Sequence, residues 1–249
     1  MRPGTAPLAP SLGASALPAG VALARPGHSC ETEQVDVCVV TYRNTAERIV
    51  PALRPHDHLF VRDNTHDNVG FGKAANELAA KGADPLILFV NPDGDPERRC
   101  FDALEKYMEH LDVVAVEASQ GVPFATFPPD RLTWASAACL VVRRHVFEAV
   151  CGFDETLFLY GEDVDLSWKL AAHGRIEHCD EAVFLHDTNR RGPRAAYYTW
   201  RNTIIVRRRW GKPLQLSREF RDVAAHILRG RFGHAGVKAA ALVVGLSKS

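Results

Sequence analysis

Leu86-Ile87-Leu88-Phe89-Val90-Asn91-Pro92-Asp93-Gly94-Asp95 joins the strongest buried-strand signal of the chain to an abrupt polar stop. An unbroken apolar run without alternation is typical of a strand covered on both faces, as in a parallel sheet flanked by helices. Two earlier runs end in the same way. Val37-Cys38-Val39-Val40 leads into Thr41-Tyr42-Arg43-Asn44, and His58 to Val61 leads into Arg62-Asp63-Asn64. Successive strands thus bring polar, amide or carboxylate groups to their C-terminal ends, the edge at which open α/β sheets bind ligands.

Helix-spaced segments separate these runs. A short helix is expected from Thr45 to Leu53, one from Gly70 to Ala80 with Gly82 placed to stop it, and one from Cys100 to His110. Val113 to Val116 and Trp134 to Val142 read as strands on either side of an irregular, Pro-rich stretch from Gly121 to Asp130. A short helix from Arg144 to Val150 closes at Gly152, another helical segment ends at Gly174, and Val183-Phe184-Leu185 is a last strand delivering His186 and Asp187. Beyond Arg194 the pattern is helical, near 195–209, 214–229 and 234–246, and there is no internal repeat. The expected class is α/β, with a mixed, mostly parallel sheet flanked by helices and a helical, basic C-terminal extension. The division expected is a leader over 1–34, an α/β domain over 35–192 and the extension over 193–249.

Composition narrows the classes. The 249 residues are 24% charged and 46% hydrophobic with zero formal net charge, ordinary for a soluble globular chain. Residues 1–34, rich in Ala, Pro and Gly, read as a disordered leader. The rival is a signal peptide, with Arg2 ahead of apolar residues and Ala22-Leu23-Ala24 as a cleavage site, but Pro7, Pro10, Pro18 and Gly20 break its core. Cys30, Cys38, Cys100, Cys139, Cys151 and Cys179 contain no CxxC pair and read as reduced thiols of a cytoplasmic protein. No apolar run reaches the ~20 residues that span a bilayer. From Arg190 to Lys238 there are thirteen Arg or Lys against Glu219 and Asp222, which suggests phosphates or a peripheral membrane surface as partner. Nucleic acid is not expected, because no binding motif accompanies these charges.

Three groups of residues can carry chemistry. Asp93 and Asp95 have a plain reading as turn formers and a second as hard-cation ligands bridging to a diphosphate. His186 could complete that site, pointing to manganese rather than magnesium. Asn68-Val69-Gly70-Phe71-Gly72-Lys73 sets glycines at a helix start, either to receive phosphate on free N–H groups or for close packing alone. It is neither a dinucleotide fingerprint nor a P-loop, and GxSxG and HExxH are absent, so NTPase, dehydrogenase and serine-hydrolase readings lose support. Cys139 lies within an apolar strand and makes a poor nucleophile. Finally, Phe158-Leu159-Tyr160-Gly161-Glu162-Asp163-Val164-Asp165-Leu166 places three carboxylates at a helix start, where the macrodipole favours them whether or not they react.

The order of these pieces resembles glycosyltransferase family 2 with the GT-A fold, in its bacterial rhamnosyltransferase-like subgroup. The resemblance covers residues 35 to about 210. It adds Asn76 at the end of the Asn68 motif, Ala138-Cys139-Leu140-Val141-Val142-Arg143-Arg144, Gly152-Phe153-Asp154-Glu155 and Trp200-Arg201-Asn202 to the stretches above. It implies a metal-dependent, inverting transfer of a sugar from a nucleotide-diphosphate donor, dTDP- or UDP-linked, to a hydroxyl of a glycan precursor or small natural product. Residue by residue, it implies donor contacts at Thr41, Tyr42, Arg43, Asp63, Gly70, Phe71, Lys73, Asn76 and Asn91. Asp93 and His186 would hold Mn2+ or Mg2+, Asp163 would be the general base with Glu162 beside it, and Trp134 and Tyr160 would face the acceptor. Asp165 reads as structural. Between Asp63 and Asn68 the family has a further helix and strand where this chain has only Asn64 to Asp67, which keeps open a non-catalytic nucleotide-sugar or partner-binding module on the same fold.

Overall fold

A computed structural model describes residues 34–120, 134–186, 192–214 and 216–247. Residues 1–33 of the leader, the Pro-rich stretch from Gly121 to Asp130, and Asp187 lie outside the described residues. The strands are β1 (Val35–Thr41), β2 (His58–Asp63), β3 (Leu86–Val90), β4 (Gly94–Pro96), β5 (Val113–Ser119), β6 (Cys139–Arg143) and β7 (Arg175–His186). The helices are α1 (Phe71–Ala79), α2 (Cys100–Met108), α3 (Arg144–Ala149), α4 (Glu162–Leu170), α5 (Pro193–Arg209), α6 (Leu216–Leu228) and α7 (Phe232–Ser247).

The sheet is mixed, in the order β2-β1-β3-β6-β5-β7-β4. β1 pairs in parallel with β2 and β3, and β5 with β7. β6 runs antiparallel to both β3 and β5, and β4 antiparallel to β7. The pleat divides each apolar run between two cores. Val37, Val39, Leu86, Leu88 and Val90 face Phe101, Leu104 and Met108 of α2. Cys38, Ile87, Phe89, Leu140 and Val142 face Leu78 of α1, Phe147 of α3, Phe153 and Leu166 of α4. On that second face Phe89 meets Phe147 and Phe153 with centroids 5.3 and 5.0 Å apart.

Three expectations change. The helix from Thr45 to Leu53 is only a 3-10 turn, Val50–Ala52, because Pro51 supplies no N–H and disrupts a longer ladder. The strand foreseen from Trp134 begins at Cys139; residues 134–138 approach it without ladder pairing. β7 is twelve residues long, not three, since pairing with β5 extends it through Glu177, His178, Asp180 and Glu181, whose charges interrupt the apolar signal. Gly82 also has a different reason from stopping α1. A Cβ there would lie 1.9 Å from the Asp36 carboxylate, so the glycine admits a buried acid.

Candidate functional site

The C-terminal ends of β1 and β2 lie side by side, with Thr41 paired to Asp63. Thr41 is buried, while Tyr42, Arg43 and Asp63 are exposed. Arg43 has φ +58°, which turns the chain; its N–H donates to Thr65 Oγ1 at 2.8 Å and its guanidinium lies 5.2 Å from the Tyr42 ring. Thr65 N–H and hydroxyl bonds stabilise the Asp63 carboxylate and hold its pKa below the ordinary value. The short Asn64–Asp67 connection is closed by Asn64, a residue for which sequence supplied no role. Its N–H donates to Thr41 O at 2.8 Å and its buried amide to Gly70 O at 3.1 Å.

Gly70 and Gly72 are sites of close packing. Gly70 has φ +91°, and a Cβ there would stand 2.4 Å from Phe158 O; at Gly72 it would meet Phe153 Cβ at 3.0 Å. Phe71 N–H donates to Phe158 O at 3.1 Å and its ring stands edge-on to Phe153. The helix start therefore receives the Phe158 carbonyl, a partial negative charge that the α1 dipole favours. Asn76 is engaged with protein: its amide exchanges two 3.0 Å bonds with the Phe153 backbone and a third with Glu155. Lys73, one turn from the helix start, is exposed.

At the tip of β3, Asn91 N–H donates to Ala138 O at 2.8 Å and Asn91 O accepts from Gly94 N–H. This reversal exposes Asp93 and starts β4, which sequence did not foresee. Because Gly94 pairs with His186, the backbone sets Asp93 one residue from the position opposite His186. Gly94 is also a packing glycine, since a Cβ would enter the Phe184 ring. The side chain of His186 lies outside the described residues.

The three carboxylates of α4 occupy different environments. Tyr160 and Gly161 both have positive φ, +65° and +90°, and turn the chain sharply into the helix. Holding them is Asn202 of α5, completely buried, whose amide donates to Leu159 O at 3.0 Å and Tyr160 O at 2.7 Å. The Trp200-Arg201-Asn202 triplet was legible, but this use of it was not. Glu162 is buried beside Gly72 of α1, with Oε2 lacking a hydrogen-bond partner among the described residues; burial first, and the Asp163 charge second, push its carboxyl well above the ordinary range. Asp163 is half-buried, its Oδ1 accepting from Val164 N–H at 2.9 Å. Asp165 is buried as an anchor: Trp210 Nε1–H donates to Oδ1 at 2.9 Å, and Lys169 Nζ stands 2.9 Å from Oδ2.

A strap made of residues 134–138 connects the two halves. The Ser167 hydroxyl accepts from Ala135 N–H at 3.0 Å and lies 2.7 Å from Asp163 O, while Ala138 O receives Asn91 N–H. Trp134 and Asp163 are thereby held at one end of the strap, and Asn91 and Asp93 at the other. Asp93, Trp134, Tyr160 and Asp163 all have partners in the fold.

Among the described residues, Asp36, His58 and Asp84 have spacing suited to a metal ion. They lie at the N-terminal ends of β1, β2 and the approach to β3, the opposite edge of the sheet from Asp93. Asp36 is already neutralised by the buried Arg144 guanidinium at 2.5 Å, and His58 Nδ1 is 2.8 Å from Asp84 Oδ2. This cluster fits an ion-pair network joining β1, β2 and α3. Four of the five described cysteines are buried and all are free; burial pushes Cys38 up to about 12 and Cys179 to about 11, far from a reactive thiol.

No family model matches the chain. A 54-residue stretch is 54% identical to N-acetylglucosaminyl-diphospho-decaprenol L-rhamnosyltransferase from two strains of Mycobacterium tuberculosis, CDC 1551 / Oshkosh and H37Rv. That match spans 21% of this chain and 18% of the length of those relatives. Among solved structures, the chain is similar to the Pyrobaculum calidifontis mannosyltransferase PcManGT in complex with GDP-Man and Mn2+, with TM-score 0.58, 15% identity, and coverage of 88% of this chain and 77% of that one. It is also similar to glucosyl-3-phosphoglycerate synthase from M. tuberculosis with Mn2+, UDP and phosphoglyceric acid, with TM-score 0.56, 14% identity, and coverage of 74% and 80%. For S. aureus TarS the TM-score is 0.52 at 16% identity, covering 69% of this chain and 39% of that one.

Proposed function

The chain has the GT-A fold of its structural neighbours, and from that premise we propose that it is an inverting glycosyltransferase. It would move a sugar from a nucleotide-diphosphate donor, dTDP- or UDP-linked, to an acceptor hydroxyl. The observation that carries this reading is the strap of residues 134–138, which ties the Asp93 turn to the Asp163 helix start on one sheet edge. A transfer with inversion requires one base on the acceptor side and a charge-compensated leaving group on the other. Asp163 takes the proton of the acceptor hydroxyl. That oxygen forms the new bond to the anomeric carbon as the bond to the diphosphate oxygen breaks, and the nucleoside diphosphate leaves. Glu162, whose carboxyl is pushed well above the ordinary range by burial and by the Asp163 charge, would position the helix start and leave Asp163 as the base.

A divalent cation fits the other end. One exposed carboxylate, Asp93, beside the backbone position of His186 is a sparse oxygen and nitrogen donor set that diphosphate oxygens would complete, as suits Mn2+ or Mg2+. When bound, the cation would offset charge developing on the diphosphate. Thr41, Tyr42, Arg43 and Asp63 would hold the base and ribose, with Asn91 and Lys73 nearer the diphosphate; Trp134 and Tyr160 would flank the acceptor. The rhamnosyltransferase match supports a deoxyhexose donor and a glycan-precursor acceptor, and a nucleotide-sugar donor would be met on the cytoplasmic side.

Asp163→Asn should lower nucleoside diphosphate release by about 10²–10⁴-fold, with donor affinity unchanged by calorimetry. Turnover within a few-fold of the wild type would overturn the assignment of the base. Donor binding by the wild type without any transfer or hydrolysis would instead establish the binding-module reading that the short Asn64–Asp67 connection leaves open.

A further inference from the structure

Exposed apolar side chains concentrate where α6 turns into α7. Leu228 is 88% exposed, Phe232 68%, Phe220 58% and Ile227 48%. Phe220 and Ile227 are two helical turns apart and share a face of α6; Leu228 ends that helix and Phe232 opens the next. Scattered exposed apolar residues are normal, but several converging on one corner mark a surface made to be covered. Arg221, Arg229 and Arg231 are exposed beside them. From 220 to 234 the sequence has one acid, Asp222, and Lys238 Nζ lies 2.9 Å from its carboxylate. The corner is therefore cationic as well as apolar.

It is also held firmly. The buried Lys238 ammonium reaches Asp222 of α6 and lies 4.7 Å from the Trp200 ring of α5, so both helices are fixed to the body of the protein. No described helix is long and apolar enough to cross a membrane. Sixteen residues of α7 extend about 24 Å, short of the ~30 Å hydrocarbon layer. The corner can lie on a bilayer without spanning it.

We infer that the α6–α7 corner docks the protein on an anionic lipid bilayer. Phe220, Ile227, Leu228 and Phe232 enter the boundary between headgroups and acyl chains, while Arg221, Arg229 and Arg231 meet lipid phosphates. Charge selects this occupant over a second copy of the chain. A two-fold contact through the corner would bring six arginines together, and of the two acids of α6, Glu219 and Asp222, the second is already met by Lys238.

The test uses the full chain and vesicles of phosphatidylcholine, with and without phosphatidylglycerol, at low and high salt. It needs neither donor nor acceptor, so its failure is separate from failure of the proposed transfer. The wild type should sediment with the anionic vesicles and be released by salt. Arg229→Gln should weaken binding about fivefold. The double variant Leu228→Ser, Phe232→Ser should weaken it about tenfold or more, with an unchanged thermal transition and unchanged donor binding. Absence of sedimentation with anionic vesicles, or undiminished sedimentation of the double variant, would overturn the inference. So would a solution dimer that the double variant converts to monomer.

Discussion

Glu162 illustrates how one side chain can be shaped by its burial more than by its type. Its Oε2 has no hydrogen-bond partner among the described residues, and desolvation with the adjacent Asp163 charge raises its pKa well above the ordinary carboxylate value. In the window between that ordinary value and the raised native one, the native state keeps a proton that the unfolded chain has released. The native state then binds more protons, so stability falls as pH rises through the window and is regained on the acid side. Glu162→Gln, which cannot ionise, should remove this slope. Urea midpoints measured at mildly acid and at neutral pH should diverge less in the variant, and at neutral pH the variant should be the more stable protein. An equal slope in both would mean that Glu162 is ionised in the native state.

At the scale of elements, the decisive contact is between α5 and the turn that opens α4. Two residues in left-handed conformation, Tyr160 and Gly161, aim the helix start, and the Asn202 amide holds the carbonyls of Leu159 and Tyr160. Asn202→Ala removes both of these bonds from a partly buried turn and should cost about 1–3 kcal/mol in chemical denaturation. It should also lower kcat more than it raises the donor KM, because Asp163 loses its aim while the strand ends stay in place. Much of this scale was legible. β1, β2 and β3 announce themselves as apolar runs with polar ends, and all three C-terminal helices lie within a few residues of their expected spans. What was illegible depends on pairing. β4 exists because β7 receives it, and β7 exceeds its apolar signal because β5 holds its backbone. The function of Asn202 could not be read from a triplet either, since its partners are more than forty residues away in sequence.

Across the whole molecule, the α4 anchor and the C-terminal helices form one continuous tether. Asp165 is wholly buried and takes the Trp210 indole N–H, with Lys169 on its other oxygen and Arg209 at 3.3 Å. Sequence reading had Asp165 as structural at a helix start, without its distant partner. Trp210→Phe keeps the aromatic contact with Trp168 but removes the donor to a buried carboxylate. It should destabilise the protein by about 1–3 kcal/mol, measured by thermal or urea unfolding. Combined with Lys169→Met, the loss should depart from additivity, because both side chains serve one carboxylate.

The tether also sets a schedule during synthesis. Trp210 is incorporated 45 residues after the Asp165 it must reach. At about 5–20 residues per second, that interval lasts several seconds. Until it has passed, a growing chain can hold every strand of the sheet while its acidic helix start has neither Asn202 nor Trp210 to aim it. Under the proposed reaction, a nascent polypeptide would therefore be catalytically silent, and competence would arrive late, with Trp210 just past the end of α5.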